Sequence, residues 1–127
     1  KLEVSVPGEV IPKDKFYSYE EKYDENSQTE IVIPAKLSKT KTKEIQELAK
    51  KAYRALYCEG MARVDMFMKK DGRLVINEIN TLPGFTSISM FPKLFEASGI
   101  PYSKLLDQLV ELAFERKEKM DKLERSI

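Results

Sequence analysis

Residues 61–80 constrain this chain more than any other stretch. Met61-Ala62-Arg63-Val64-Asp65-Met66-Phe67-Met68 and Arg73-Leu74-Val75-Ile76-Asn77-Glu78-Ile79-Asn80 are two strand-like runs, and Asp71-Gly72 lies between them. Asp-Gly is a favoured pair for a two-residue hairpin turn, because both positions tolerate positive φ. With that turn, facing residues have numbers of constant sum: Lys70 faces Arg73, Phe67 faces Ile76, Asp65 faces Glu78 and Arg63 faces Asn80. Directly opposed residues share one sheet face, with Cβ atoms about 5 Å apart. The hairpin therefore sets Asp65 against Glu78, two like charges that sheets ordinarily avoid, with Asn80 and Arg63 beside them.

Two carboxylates and an amide converging next to a guanidinium form the donor set of a hard divalent cation. Mg²⁺ takes octahedral oxygen coordination and is commonly held by one or two carboxylates plus substrate phosphates. Arg63 suits the charge on a transferring phosphoryl group. Two blander readings stand beside this one: a solvated face on which each acid pairs with a lysine, or a structural module whose acids hold Ca²⁺. The next loop, residues 80–89, carries Pro83-Gly84 and leads into a helix near Ser89. Gly84 permits close backbone approach, and a helix N-terminus receives anions. A plain connector capped by Ser87 or Ser89 is the alternative.

Composition narrows the chemistry further. The 127 residues contain no His and one Cys. That removes Ser-His-Asp triads, Cys-His dyads, His-ligated zinc, thiolate cages and intrachain disulfides. Without a His partner, Cys58 reads as a buried packing residue compatible with the cytoplasm. A net charge of +1 gives no footprint for nucleic acid. No apolar run approaches the roughly 20 residues of a membrane span, and no signal peptide opens the chain. Because it does not begin with Met, an upstream segment is expected.

The remaining elements follow from local pattern. Residues 2–6 alternate like a half-buried strand and residues 29–34 read as another. Residues 13–27 form a long polar and aromatic loop containing Phe16, Tyr17, Tyr19 and Tyr23; loops of that length are uncommon and usually functional. It reads either as a clasp over its own lobe or as a lid that excludes water. Ser38 opens a helix with Ile45, Leu48, Ala49, Ala52 and Leu56 on one face, and Gly60 closes that region. Two more helices cover residues 90–97 and about 102–125, the latter with Leu106, Leu109, Val110 and Ala113 inward. Its charged tail pairs Glu115/Lys119, Glu118/Lys122 and Asp121/Arg125 at i,i+4.

Arg63-Val64-Asp65 together with Asn77-Glu78-Ile79-Asn80-Thr81-Leu82-Pro83-Gly84-Phe85-Thr86-Ser87-Ile88-Ser89-Met90 closely resembles the D-alanine–D-alanine ligases of the ATP-grasp superfamily. Phe16 to Tyr23 is similar to that family's mobile active-site loop, and the match spans nearly the whole chain. The resemblance implies an α+β fold, the carboxy-terminal ATP-grasp subdomain over residues 1–127, mainly antiparallel sheet with helices packed on it. It implies Asp65, Glu78 and Asn80 as ligands of two Mg²⁺ ions (or Mn²⁺), with Glu78 bridging. Arg63 and the Gly84 N–H would hold the transferred phosphate and the tetrahedral intermediate. Ser89 and Met90 would receive the second D-alanine's carboxylate. Lys22 would lie near the phosphates, and Phe16 and Asn77 beside the nucleotide. Tyr23 matches the loop tyrosine associated with D-alanine, rather than D-lactate or D-serine, as second substrate.

The implied reaction joins two D-alanines through an acyl phosphate made from ATP. It serves peptidoglycan synthesis, hence cell-wall biogenesis and cell shape, in the cytoplasm. Such ligases have amino-terminal and central domains that this sequence lacks. The chain is expected to carry half of the site, to have no turnover alone, and to act within a larger enzyme for which a homodimer is compatible.

Overall fold

The computed structural model describes residues 1–12 and 29–125. In chain order the described elements are β1 (Glu9–Ile11), β2 (Glu30–Val32), α1 (Lys39–Ala55), β3 (Arg63–Met68), β4 (Leu74–Asn80), α2 (Met90–Ala97) and α3 (Tyr102–Arg125). The strands form two separate antiparallel pairs, β1–β2 and β3–β4. Together with the helices they make an α+β architecture.

Helix α1 begins where the sequence places its cap. Ser38 is extended (φ −62°, ψ 158°), and its Oγ accepts the N–H of Lys41 at 3.1 Å, satisfying one of the donors left open in a first turn. The helix stops before Gly60. The Cys58 N–H donates to the Tyr53 carbonyl and the Tyr57 N–H to the Arg54 carbonyl, both at 3.1 Å. This double closure requires a left-handed residue after the last helical turn. Tyr57 takes it at φ 53° instead of the glycine such ends favour. Leu56 consequently leaves the inner stripe and is 64% exposed, whereas Ile45, Leu48, Ala49 and Ala52 are half-buried. Cys58 is half-buried rather than buried.

Residues 2–6 are not a strand. Their backbone groups are taken by side chains: the Val6 N–H donates to Ser98 Oγ at 2.8 Å and the Ser5 carbonyl accepts from Gln46 Nε2 at 3.0 Å. The Pro7 carbonyl then accepts the Ala35 N–H at 2.8 Å. This opening segment is thus clamped between α1 and the end of α2. Gly8 fits there because an added Cβ would come within 2.9 Å of Leu94 Cδ2.

The tightest packing lies where α2 meets α3. Phe91 and Leu105 are 6% and 4% exposed. The ring of Phe91 lies 5.9 Å from Phe85 and 5.1 Å from Phe95, and Phe85 lies 5.2 Å from Tyr102; offset and tilted aromatic pairs at such spacings are favourable. On α3 only part of the expected stripe lies inward: Leu109 is half-buried as expected and Leu105 is buried beside it, whereas Leu106, Val110 and Ala113 are exposed. Its tail carries a Lys117–Asp121 ion pair at 2.9 Å, and Arg116 pairs back to Glu59.

The β3–β4 hairpin differs from a constant-sum ladder in two places. The turn is one residue longer than Asp71-Gly72 alone. The Gly72 N–H donates to the Lys69 carbonyl at 2.9 Å and the Lys69 N–H to the Arg73 carbonyl at 2.8 Å. Lys69, not Lys70, therefore faces Arg73 across a three-residue loop, with Gly72 at φ 89°. The register runs Met68↔Leu74, Phe67↔Val75, Met66↔Ile76, then Asp65↔Glu78, Val64↔Ile79 and Arg63↔Asn80. Phe67 faces Val75 rather than Ile76, and Asn77 is the extra residue of a bulge between Asp65 and Met66. Lys41 Nζ reaches from α1 to the Gly72 carbonyl at 2.8 Å and ties the tip of the hairpin to the helix.

Candidate active site on the β3–β4 face

Strand periodicity assigns the two faces of this hairpin. Val64, Met66, Leu74, Ile76 and Ile79 are half-buried and form the face toward α1. Arg63, Asp65 and Phe67 alternate with them on β3, opposite Asn80, Glu78 and Val75. The bulge explains how Ile76 and Ile79, three residues apart, both serve the inner face: Asn77 and Glu78 together occupy one outward step, and both are exposed.

Asp65 and Glu78 oppose each other directly on this outer face. Arg63 is their neighbour, engaged as a fork: Nε donates to Asp65 Oδ1 at 2.9 Å and Nη2 to Oδ2 at 3.0 Å. The pair is largely sheltered, the side chains being 19% and 27% exposed. The sequence reading aims Arg63 at a phosphate; in the structure its guanidinium engages Asp65, neutralising and orienting one of the two acids. A bidentate guanidinium is the stronger kind of ion pair, and a carboxylate offers about four lone-pair sites, so two donors do not exhaust Asp65.

Asn80 ends β4 and begins the loop. Its Oδ1 accepts the Leu82 N–H at 3.0 Å, a turn that Asn side chains commonly make. Pro83 is buried. The Phe85 carbonyl is held by the Tyr102 hydroxyl at 2.7 Å, so ring packing and a hydrogen bond anchor the loop to α3. Gly84 passes close to Ser89: a Cβ there would stand 3.1 Å from Ser89 Oγ.

Ser89 occupies the N-cap position of α2 yet makes no side-chain capping bond. Its Oγ accepts the Thr86 N–H at 3.0 Å and lies 2.7 Å from Thr86 Oγ1. The capping expectation for Ser89 is thereby corrected: the hydroxyl serves the loop. Met90, first residue of α2, turns its side chain toward Gly8 and lines a shallow groove with Ile31, Ile33, Ile88 and Lys93.

The structure thus brings Arg63, Asp65, Asn77, Glu78 and Asn80 together on one face and sets the Gly84–Met90 loop at the end of β4. Phe16, Lys22 and Tyr23 lie outside the described residues. Among the described residues no cluster of three or more His, Cys, Asp or Glu side chains forms a metal site; the candidate set is two carboxylates with Asn80 as third oxygen donor. Sequence reasoning passed over Phe67, 61% exposed on the face of the acids, and Thr86 and Tyr102, which hold the loop. Phe67 was legible as the residue two after Asp65; the other two depend on tertiary contacts.

Comparisons with known proteins give the family of the chain. A family model described as "D-ala D-ala ligase C-terminus" matches residues 1–111. The chain is 52% identical over 126 residues to the D-alanine--D-alanine ligase of Oceanobacillus iheyensis, covering 99% of this chain and 34% of that protein. Among solved structures, the D-alanine-D-alanine ligase from Coxiella burnetii superposes with a TM-score of 0.81 at 43% identity, over 96% of this chain and 31% of that one. The VanG D-Ala:D-Ser ligase from Enterococcus faecalis gives 0.77 at 40% identity, over 88% and 32%. A Bacillus anthracis D-alanine--D-alanine ligase complexed with ATP gives 0.66 at 37%, over 72% and 32%. The chain spans about a third of the length of the curated relatives it matches. On the β3–β4 face, the anchored loop and these matches together, the chain belongs to the D-alanine–D-alanine ligase carboxy-terminal family.

Proposed function

We propose that this chain supplies the metal–nucleotide and acyl-transfer half of an ATP-dependent ligase that joins two D-alanines for peptidoglycan. The observation that carries the reading is Asp65 standing opposite Glu78 with the Arg63 fork on Asp65. Sheets ordinarily avoid opposed like charges, and such a pair at an exposed face beside an amide oxygen is the donor chemistry of Mg²⁺. The residues fit the ion: Asp65, Glu78 and Asn80 would hold it, and when bound it offsets the charge of the ATP phosphates. The mixed aromatic and aliphatic platform of Phe67 and Val75 on the same face suits the apolar surface of a nucleotide base, with Asn77 at its edge.

In the reaction so assigned, the carboxylate of the first D-alanine attacks the γ-phosphorus and ADP leaves. The amine of the second D-alanine then attacks the acyl carbon, inorganic phosphate departs with the bonding pair, and the amine proton goes to solvent. Negative charge builds on oxygen in both steps. Arg63 and the Gly84 N–H are the groups that would stabilise it, since fixed donors aimed at developing oxyanions lower such barriers. Ser89 and the Met90 backbone would receive the second carboxylate at the start of α2. Phe16, Lys22 and Tyr23 are proposed for the nucleotide, the phosphates and the second substrate respectively, within an active-site loop of about residues 13–27. The remaining two-thirds of the relatives' length would complete the site, in the cytoplasm where ATP is made available.

The test is a Mg²⁺ titration of nucleotide binding by the full-length enzyme that carries this lobe. Asp65→Ala combined with Glu78→Ala should abolish Mg²⁺-dependent binding; unchanged binding would refute the reading in favour of a structural module. A second substrate choice has one observation in its favour, the VanG likeness. Competition between D-alanine, D-serine and D-lactate as second substrate, read from the mass of the product, separates the three.

A further inference from the structure

The Thr86–Ser89 clasp has a directional consequence. Ser89 Oγ accepts the Thr86 N–H at 3.0 Å and faces Thr86 Oγ1 at 2.7 Å, while the Ser89 N–H donates to the Thr86 carbonyl at 3.0 Å. A hydroxyl has one proton and two lone pairs. One lone pair of Ser89 is used by the Thr86 N–H. If the Thr86 hydroxyl donates into the second, the Ser89 proton must point elsewhere, and Ser89 becomes a donor only. In the opposite sense Ser89 spends its proton on Thr86 and offers an approaching anion nothing but a lone pair.

The same peptide is fixed from its other side. The Phe85 carbonyl and the Thr86 N–H belong to one planar unit, and the Tyr102 hydroxyl donates to that carbonyl at 2.7 Å. Accepting a bond at the oxygen polarises the N–H that Thr86 gives to Ser89, in the way chained hydrogen bonds reinforce each other. An intact cap would have drawn Ser89 Oγ toward the backbone of α2, yet no capping bond is made. The clasp holds the hydroxyl away from that use.

We propose that Thr86 is a positioning residue that acts through Ser89: its hydroxyl donates to Ser89 Oγ and commits the Ser89 proton to the carboxylate of the second amino-acid substrate. This rests on the assignment of Ser89 in the proposed function and adds to it a residue and a proton direction. Thr86→Val keeps the branched shape and removes only the hydroxyl. Thr86→Ser keeps the hydroxyl.

Steady-state kinetics of the full-length enzyme at saturating ATP, with D-alanine varied and the rate fitted to a two-site scheme that separates the first-site from the second-site KM, provide the test. Thr86→Val is expected to raise the KM for the second D-alanine by roughly three- to tenfold, the worth of one hydrogen bond, with the KM for ATP unchanged and kcat little altered. Thr86→Ser should restore it. In a Ser89→Ala background Thr86→Val should add nothing, because the two act as one unit. An equal additional loss in that background, or no rescue by Thr86→Ser, overturns the role of Thr86 while leaving the ligase reading intact. An unaltered second-substrate KM in Ser89→Ala alone overturns both the Ser89 assignment and the proposal built on it.

Discussion

The hydroxyl of Tyr102, the first residue of α3, donates to the Phe85 carbonyl at 2.7 Å, and the two rings lie 5.2 Å apart. One side chain therefore fixes both the backbone and the ring of the residue that follows Gly84. Replacing it with phenylalanine keeps the ring contact and removes the bond. Tyr102→Phe should destabilise the protein by about 0.5–1.5 kcal/mol, seen as a lower urea midpoint at unchanged slope. A change in slope would instead mean that the loop and α3 had come apart.

A gain in stability is available at the end of α1. Tyr57 sits at φ 53° and is 91% exposed, so it bears the left-handed penalty with little burial in return. Glycine has no such penalty, and αL costs an L-residue roughly 1–2 kcal/mol. Part of that is returned by the greater freedom of glycine in the unfolded chain. Tyr57→Gly should therefore raise stability by about 0.5–1 kcal/mol, measured by the same denaturation, and Tyr57→Val should lower it.

Alkaline pH should act through Tyr53. Its hydroxyl donates to the Gly60 carbonyl at 2.8 Å, and burial, followed by the nearby Cys58 and Glu59, pushes its phenol above the ordinary 10.0. A raised folded-state value means that the folded chain keeps its proton when the unfolded chain begins to lose it near pH 10. The contribution is complete below that pH and is lost as pH climbs through the folded value. Tyr53→Phe should flatten the decline in stability above about pH 10, read from thermal melts at a series of alkaline pH values.

The opposed acids were legible in the sequence for a reason that is only partly right. A constant sum from a two-residue Asp71-Gly72 turn pairs Asp65 with Glu78, and the structure pairs them too. Between turn and acids, however, the ladder runs one residue out of that register, and the Asn77 bulge restores it. The longer turn has no signature separating it from the shorter one, since both use Asp-Gly. The bulge did have one: outward and inward residues alternate through Leu74, Val75 and Ile76, and two consecutive polar residues, Asn77 and Glu78, then interrupt before Ile79. Helix α1 was legible because Ser38 and the apolar period agree. Residues 2–6 were not, because alternation predicts a strand only where a partner strand exists, and here Ser98 and Gln46 take the backbone instead. The loop's supports, Thr86 and Tyr102, come together only after α2 and α3 pack.

The bulge provides the sharpest test of how the site is built. Deleting Asn77 leaves every other pair possible: Met66 with Ile76, Asp65 with Glu78 and Val64 with Ile79, with the same residues facing α1. The hairpin should therefore still form. What changes is the local twist and the aim of the two acids, the property that bulges beside active sites control. An error of about 1 Å in such a group can cost roughly 100-fold in rate. Deletion of Asn77 in the full-length enzyme should lower kcat/KM by that order with circular dichroism and melting little altered. Asn77→Ala, which keeps the extra residue and drops only the amide proposed beside the nucleotide, should raise the KM for ATP while lowering kcat/KM for D-alanine far less than the deletion does. Equal losses in the two variants would assign the effect to the amide of Asn77; a normal rate after deletion would show that the bulge does not set the geometry of Asp65 and Glu78.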